Sequence, residues 1–262
     1  MNSMHKAVIY SLGITGETEL DNLRNRMGRL VKYFDTVMED EPIDKYVSHK
    51  PDRLHPDRTY HMTPILARSG QACILFVPTS SQAVKRDAGS VVDRLAYFER
   101  GENIVGVGMC GLHSQDYQHG DVVIPDQVDN SPSLRDIWGE GYESGFPDVK
   151  LRDDLYQRCL DIGLTVARLP LTLSVLNWEE SGNWDRDPKI TSRQYGAREM
   201  EMATVLAHGR KLGKAAVGAL VISDRNGEQL DREYFYHLPE RAPKVEEAGG
   251  KLLEAAVNLF IH

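Results

Sequence analysis

Short apolar runs alternate along this chain with longer stretches whose apolar residues recur three and four apart. That alternation predicts strands and helices of an α/β sheet. Lys6 to Leu12 reads as the first strand, ended by Gly13. From Glu17 onward, Leu20, Leu23, Met27, Leu30 and Phe34 fall at helical spacing. Residues 39 to 64 are polar and proline-bearing, which predicts a long excursion with at most short structure. Ile65 to Arg68 and Cys73 to Val77, parted by Ser69-Gly70-Gln71, predict a hairpin. Ala83 to Arg100 carries Val84, Ala88, Val91, Val92, Leu95 and Phe98 and predicts a helix closed by Gly101. Ile104 to Gly108 and Asp121 to Ile124 read as strands, and residues 129 to 149, without a period, as a long loop. A helix over Leu151 to Ile162 follows, then a strand over Val166 to Val175 interrupted near Pro170. Residues 177 to 196 predict a second loop. Met200 to Leu212 predicts a helix ended by Gly213, Ala215 to Ser223 a strand, and Val245 to Phe260 the final helix. There is no internal repeat, low-complexity tract or linker-like stretch, so residues 1–262 are expected to form a single domain.

Composition narrows the class without naming an activity. The apolar share of 41% and charged share of 27% are ordinary for a soluble globular protein. The longest apolar runs, Ala72 to Val77 and Ala215 to Ser223, are too short to span a bilayer, so no membrane partner is expected. The first residues, Met1 to Ala7, lack the apolar core of a signal peptide. Cys73, Cys110 and Cys159 sit in or beside apolar segments with no metal-type spacing. That predicts no disulfide framework, no metal, no redox cofactor and a reducing, cytoplasmic setting. A net charge of −8 argues against a nucleic-acid partner, which normally meets a basic face. It leaves room for a small anionic ligand held by a few local arginines.

Three segments carry candidate chemistry. Arg198-Glu199-Met200-Glu201-Met202-Ala203 puts two carboxylates two residues apart at an expected helix start. On a regular helix they would diverge by about 200°, so one can face a ligand while the other serves structure. A carboxylate there can accept hydrogen bonds from both hydroxyls of a ribose, and Met200 can pack on the sugar face. The same spacing also reads as a charged first turn favouring the helix macrodipole. Val217 to Arg225 ends in Ser223-Asp224-Arg225, where a parallel strand would deliver an acid to a ligand at its carboxyl end. Desolvated there, Asp224 can act as a proton donor; equally it can cap a turn or pair with Arg225. Ile104 to Leu112 holds Gly106, Gly108 and Gly111, followed by Gly120-Asp121-Val122-Val123. Glycines at a strand end let backbone amides approach an anion or a sugar, and close packing accounts for them as well.

Together and in this order the three segments resemble the nucleoside phosphorylase/nucleosidase superfamily, with AMP nucleosidase and methylthioadenosine nucleosidase the most similar in motif. The carrying residues are the glycine turn Gly108-Met109-Cys110-Gly111, Gly120 to Val123, Glu199-Met200-Glu201 and Ser223-Asp224, with 23 residues from Glu201 to Asp224. The resemblance implies a three-layer α/β/α domain around a central mixed, partly barrel-like sheet. It implies cleavage of an N-glycosidic bond through a transition state of oxocarbenium character. Glu201 would bind the 2′- and 3′-hydroxyls with Glu199 in support, and Met200 would pack on the ribose. Asp224, beside Ser223, would protonate N7 of a departing purine. Trp178, in Asn177-Trp178-Glu179, would stack on the base. Gly108 and Met109 would line the substrate site.

Departures from that pattern bear on the nucleophile. Bacterial purine phosphorylases place an Arg and a Ser where this chain has Gly106 and Met109, so part of a phosphate cradle is missing. Water then has to attack, and water wants a base: Glu19 resembles the early glutamate of methylthioadenosine nucleosidase, with Glu17 as competitor. A 5′-phosphate would need a cationic clamp, for which Arg58, Arg86 and Arg225 are available. The expectation is hydrolysis of a purine nucleoside or nucleoside 5′-monophosphate. Phosphorolysis, and a nucleoside-binding protein without turnover, are the alternatives. The resemblance also implies a homo-oligomer, dimer or hexamer, with His5 approaching a neighbouring subunit's sugar site.

Overall fold

The computed structural model describes residues 5–12, 30–39, 49–51, 59–61, 64–70, 72–79, 91–113, 116–175, 195–225 and 242–261. In chain order its strands are β1 (His5–Ser11), β2 (Thr36–Glu39), β3 (His49–Pro51), β4 (Thr59–His61), β5 (Ile65–Ser69), β6 (Ala72–Pro78) and β7 (Gly101–Leu112). β8 (Val122–Pro125), β9 (Val128–Asn130), β10 (Ser144–Gly145), β11 (Val166–Leu169), β12 (Thr172–Ser174), β13 (Ala197–Glu199) and β14 (Ala215–Arg225) follow. The α-helices are α1 (Pro132–Trp138), α2 (Val149–Asp161), α3 (Met202–Lys211) and α4 (Ala242–Asn258). No described helix is long and apolar enough to cross a membrane.

Strand periodicity makes the layers. Successive side chains of a strand point to opposite faces, so a continuous apolar run needs cover on both. On β1, Ala7 and Ile9 join one core while Val8 and Tyr10 join the other; on β6, Ile74 and Phe76 part from Leu75 and Val77 in the same way. The first core takes in Leu155 and Cys159 of α2 and Leu252, Leu253 and Ala256 of α4. The second takes in Met202, Val205 and Leu206 of α3, together with Tyr97 and Phe98 of a 3₁₀ segment, Val92–Arg100. Helices therefore cover a mixed sheet on both sides, the expected three layers.

β7 organises the sheet. It pairs in parallel with β14 along its length, and its other edge is shared in sequence by β1 and then β13. From there the order runs outward through β6, β5 and β2 on one arm and through β12, β9 and β10 on the other, while β14 passes to β8 and β11. The sheet forks at β7 and is not closed.

Four expectations change. Residues 129 to 149 are not a loop but hold β9, α1 and β10. Ser131 Oγ caps α1 from the Leu134 N–H, Pro132 opens the helix, and Gly139 at φ 73° stops it. Seven residues are too few to display a helical period. The strand expected over Val166 to Val175 is two strands, because β11 pairs with β8 whereas β12 pairs with β9 and β13. Within the stretch expected as a helix from Ala83, the described part is the 3₁₀ segment. The helix expected from Met200 begins at Met202, so Glu199 ends a strand. The angular argument for two glutamates on one helix therefore does not apply.

Candidate active site

The candidate residues gather where β13, β7 and β14 run side by side. Gly111 on β7 is the register partner of both Arg198 on β13 and Asp224 on β14. The two charged side chains meet over the glycine, with Arg198 Nη2 3.5 Å from Asp224 Oδ2 and only 14% and 9% of the side chains exposed. A Cβ on Gly111 would stand 2.5 Å from Asp224 Oδ2 and 3.1 Å from Arg198 Nε, so a larger residue would have to displace the pair. A β-bulge between Ile222 and Asp224 inserts Ser223 and re-aims the strand's end. Ser223 Oγ then lies 2.9 Å from Asp224 Oδ1 and 3.3 Å from the Cys110 carbonyl, within donating reach of each. Asp224 was expected at a strand end; it lies one residue inside, on the pairing ladder with β7.

Glu199 holds the turn into α3. Its Oε2 accepts the backbone N–H of Glu201 at 2.5 Å and of Met202 at 2.6 Å, two of the donors that a helix start leaves unpaired. Ser174, its register partner on β12, donates its hydroxyl to Glu199 Oε1 and accepts the Ala203 N–H at 3.0 Å. Burial raises the Glu199 pKa above the ordinary carboxylate value, and the hydrogen bonds from Ser174 and from the backbone of Glu201, Met202 and Met200 act against that rise. Glu201 occupies the N-cap position of α3, is 5% exposed, and does not cap the helix with its side chain. Met200 is half-buried against Leu173, Val175 and Tyr195.

Cys110 precedes Gly111 on β7 and is buried. Its thiol is pushed well above the ordinary value by burial first, then by the negative charges of Asp224 and Glu199. A lone buried cysteine flanked by two acids is a poor nucleophile.

Gly106 and Gly108 of β7 serve packing. Gly106 and Gly218 are register partners, and Met202 of α3 fills the space above both. A Cβ on Gly106 would stand 2.8 Å from Met202 Sδ, and one on Gly218 would overlap the same thioether. Gly108 faces Leu12 and Leu220, and Met109 is half-buried against the first core.

Other expected residues fall elsewhere. Glu19, Glu17, Trp178, Arg58 and Arg86 lie outside the described residues. Arg225 is the last residue of β14, paired with Leu112, and its side chain is outside the description. His5 pairs with Gly101 at the opposite end of β7 from Gly111, roughly 30 Å away at about 3.3 Å per residue. Among the described residues no group of three or more His, Cys, Asp or Glu can hold a metal ion. Ser174 and the pairing role of Arg198 were not anticipated. Neither has a local signal, since each depends on which strands become neighbours.

The geometry can be set beside known proteins. Residues 62–258 match the phosphorylase superfamily. Comparison with curated protein sequences gives no significant match. Purine nucleoside phosphorylase from Toxoplasma gondii, solved with immucillin-H, is similar in structure with a TM-score of 0.68 at 17% identity, over 98% of this chain and 92% of that one. The 5′-methylthioadenosine/S-adenosylhomocysteine nucleosidase from Neisseria meningitidis, solved with methylthio-immucillin-A, gives 0.66 at 12% identity, over 96% and 98%. Its Campylobacter jejuni counterpart gives 0.65 at 12% identity, over 97% and 98%. At such identities the structural likeness speaks for the fold. The match over well more than half of the sequence shows the family, and this chain belongs to the phosphorylase superfamily.

Proposed function

We propose that this protein hydrolyses the N-glycosidic bond of a purine nucleoside or nucleoside 5′-monophosphate. The observation that carries the reading is the meeting of Asp224 with Arg198, which heads the Glu199-Met200-Glu201 turn, across Gly111 near the end of β7. In this reading Glu201 accepts the ribose 2′- and 3′-hydroxyls, Met200 packs on the sugar, and Glu199 holds the turn. In it Ser223 and Arg225 line the site, the backbone of Gly108 and Met109 borders it, and Trp178 stacks on the base. As the C1′–N9 bond breaks, its electron pair goes to the purine, and Asp224, having taken up a proton from solvent, passes it to N7. Water oxygen bonds to C1′, and Glu19 takes the proton it sheds. The products are free base and ribose or ribose 5-phosphate.

Water is favoured over phosphate as nucleophile because the space above Gly106, where a phosphorylase arginine would stand, is filled by Met202. The protein is expected to act in the cytoplasm as a dimer or hexamer, with no cofactor. The test is a panel of adenosine, AMP, methylthioadenosine, inosine, guanosine and pyrimidine nucleosides, with and without phosphate, scored for free base, ribose and ribose 1-phosphate. Free base and ribose without phosphate are expected. Strictly phosphate-dependent release of ribose 1-phosphate would replace hydrolysis by phosphorolysis, and no release from any nucleoside would leave a binding protein.

A further inference from the structure

Arg198 stands apart from the ordinary surface arginine. It is three residues ahead of Glu201 on the same segment, it is mostly buried, and the residue it reaches is the proposed base-protonating acid on a strand that is not its own neighbour. The strand between them carries a glycine at the register position that Arg198 and Asp224 share, and a side chain there would collide with Asp224 and crowd Arg198. Surface ion pairs need no such clearance. The segment is also locked, because Ser174 and Glu199 hold the β13–α3 turn through the N–H groups of Glu201, Met202 and Ala203.

We propose that Arg198 is a positioning residue for Asp224, orienting its carboxyl group across Gly111 and stabilising the carboxylate left behind when the proton passes to the purine. This rests on the purine nucleosidase reading given above. The transfer moves one proton from Asp224 to N7 and leaves a negative charge on Asp224. A guanidinium already in place meets that charge without reorganisation. In this role Arg198 works through Asp224, the group it reaches. One four-residue segment, Arg198 to Glu201, then serves both halves of the substrate, its glutamate on the sugar and its arginine behind the acid on the base.

The test compares Arg198→Ala and Arg198→Lys with wild type on a purine nucleoside and on p-nitrophenyl β-riboside, whose leaving group departs as a stable anion without a proton. On the purine nucleoside, Arg198→Ala is expected to lower kcat about 10- to 100-fold with KM within about twofold, less than loss of the acid itself would cost. Arg198→Lys, which keeps the charge without the fork, recovers part of the loss. On the aryl riboside Arg198→Ala loses less than about threefold, which shows that the variant is folded and that the defect lies in protonation. If the aryl riboside is not turned over, the kcat-against-KM split and the lysine recovery decide. Equal losses on both substrates, a raised KM with unchanged kcat, or no loss at all would overturn the role of Arg198 while leaving the nucleosidase reading in place. A wild-type protein that frees base from no nucleoside would overturn that reading, and this role with it.

Discussion

Met202 lies across Gly218, and a Cβ on that glycine would occupy the place of the Met202 thioether. Both residues are fully buried, with Gly106 completing the seat on β7. The first helix residue after the Glu199-Met200-Glu201 turn is thereby keyed into the sheet. The contact sets how closely α3 approaches β7 and β14.

Gly218→Ala is therefore expected to destabilise the protein by about 1–3 kcal/mol through overpacking, read as a lower urea midpoint. Met202→Ala alone should cost about 2–5 kcal/mol through the cavity it leaves. The double substitution should cost clearly less than the sum, because the new methyl enters the vacated space. Strict additivity would mean that the two positions do not share that space.

Glu199 predicts a pH dependence of stability. Its folded pKa is raised from 4.5 mainly by burial, so between the two values the folded protein holds more protons than the unfolded chain. Its contribution is complete below about pH 4.5 and is lost as pH rises through the folded value. Glu199→Gln cannot titrate. Wild type should thus lose stability relative to this variant as pH rises from 4.5 toward neutrality, in denaturant titrations at matched pH. A flat difference would show that the capping hydrogen bonds cancel burial, and one of opposite slope that they outweigh it.

The two proposed substrate carboxylates should separate kinetically. Asp224→Asn is expected to lower purine turnover by about 10²–10⁴-fold while nucleoside binding survives, since the donor acts as the base departs. Glu201→Gln should weaken binding and rate together, because a ribose contact is present in ground and transition states alike. Unchanged turnover in Asp224→Asn would remove that residue from the chemistry.

His208, toward the end of α3, faces Tyr142 with its Nδ1 2.7 Å from the phenol oxygen and packs edge-on against Phe98. Burial lowers its pKa below 6.5, Lys211 lowers it further, and Glu99 opposes both. The folded protein then holds fewer protons, so this contribution to stability is complete above 6.5 and is lost as pH falls through the folded value. An NMR titration should give a His208 midpoint below 6.5, and Lys211→Ala should move it upward without abolishing the depression, since burial remains. A midpoint unaffected by Lys211→Ala would remove the ammonium as a cause.

The sequence by itself carried what depends on near neighbours. Apolar alternation located β1, the β5–β6 hairpin, β7, α2 and α4, because each displays enough residues for its period to emerge. The order and spacing of Glu199-Met200-Glu201 and Ser223-Asp224 identified the family, since motif residues keep their chemistry in one dimension. α1 and the division of β11 from β12 were hidden, being too short for a period and decided by the partners each strand finds. The same holds for the site. Glu199 meets Ser174, 25 positions away in sequence, and Arg198 meets Asp224, 26 positions away, only because β12 lies beside β13 and Gly111 separates β13 from β14. Nor do the glycines of β7 say in sequence whether they admit a ligand or a neighbour. Gly106 and Gly218 admit Met202, and Gly111 clears the way for an ion pair. Which atoms enter a space depends on what packs over it, and only the folded sheet with α3 laid upon it decides that.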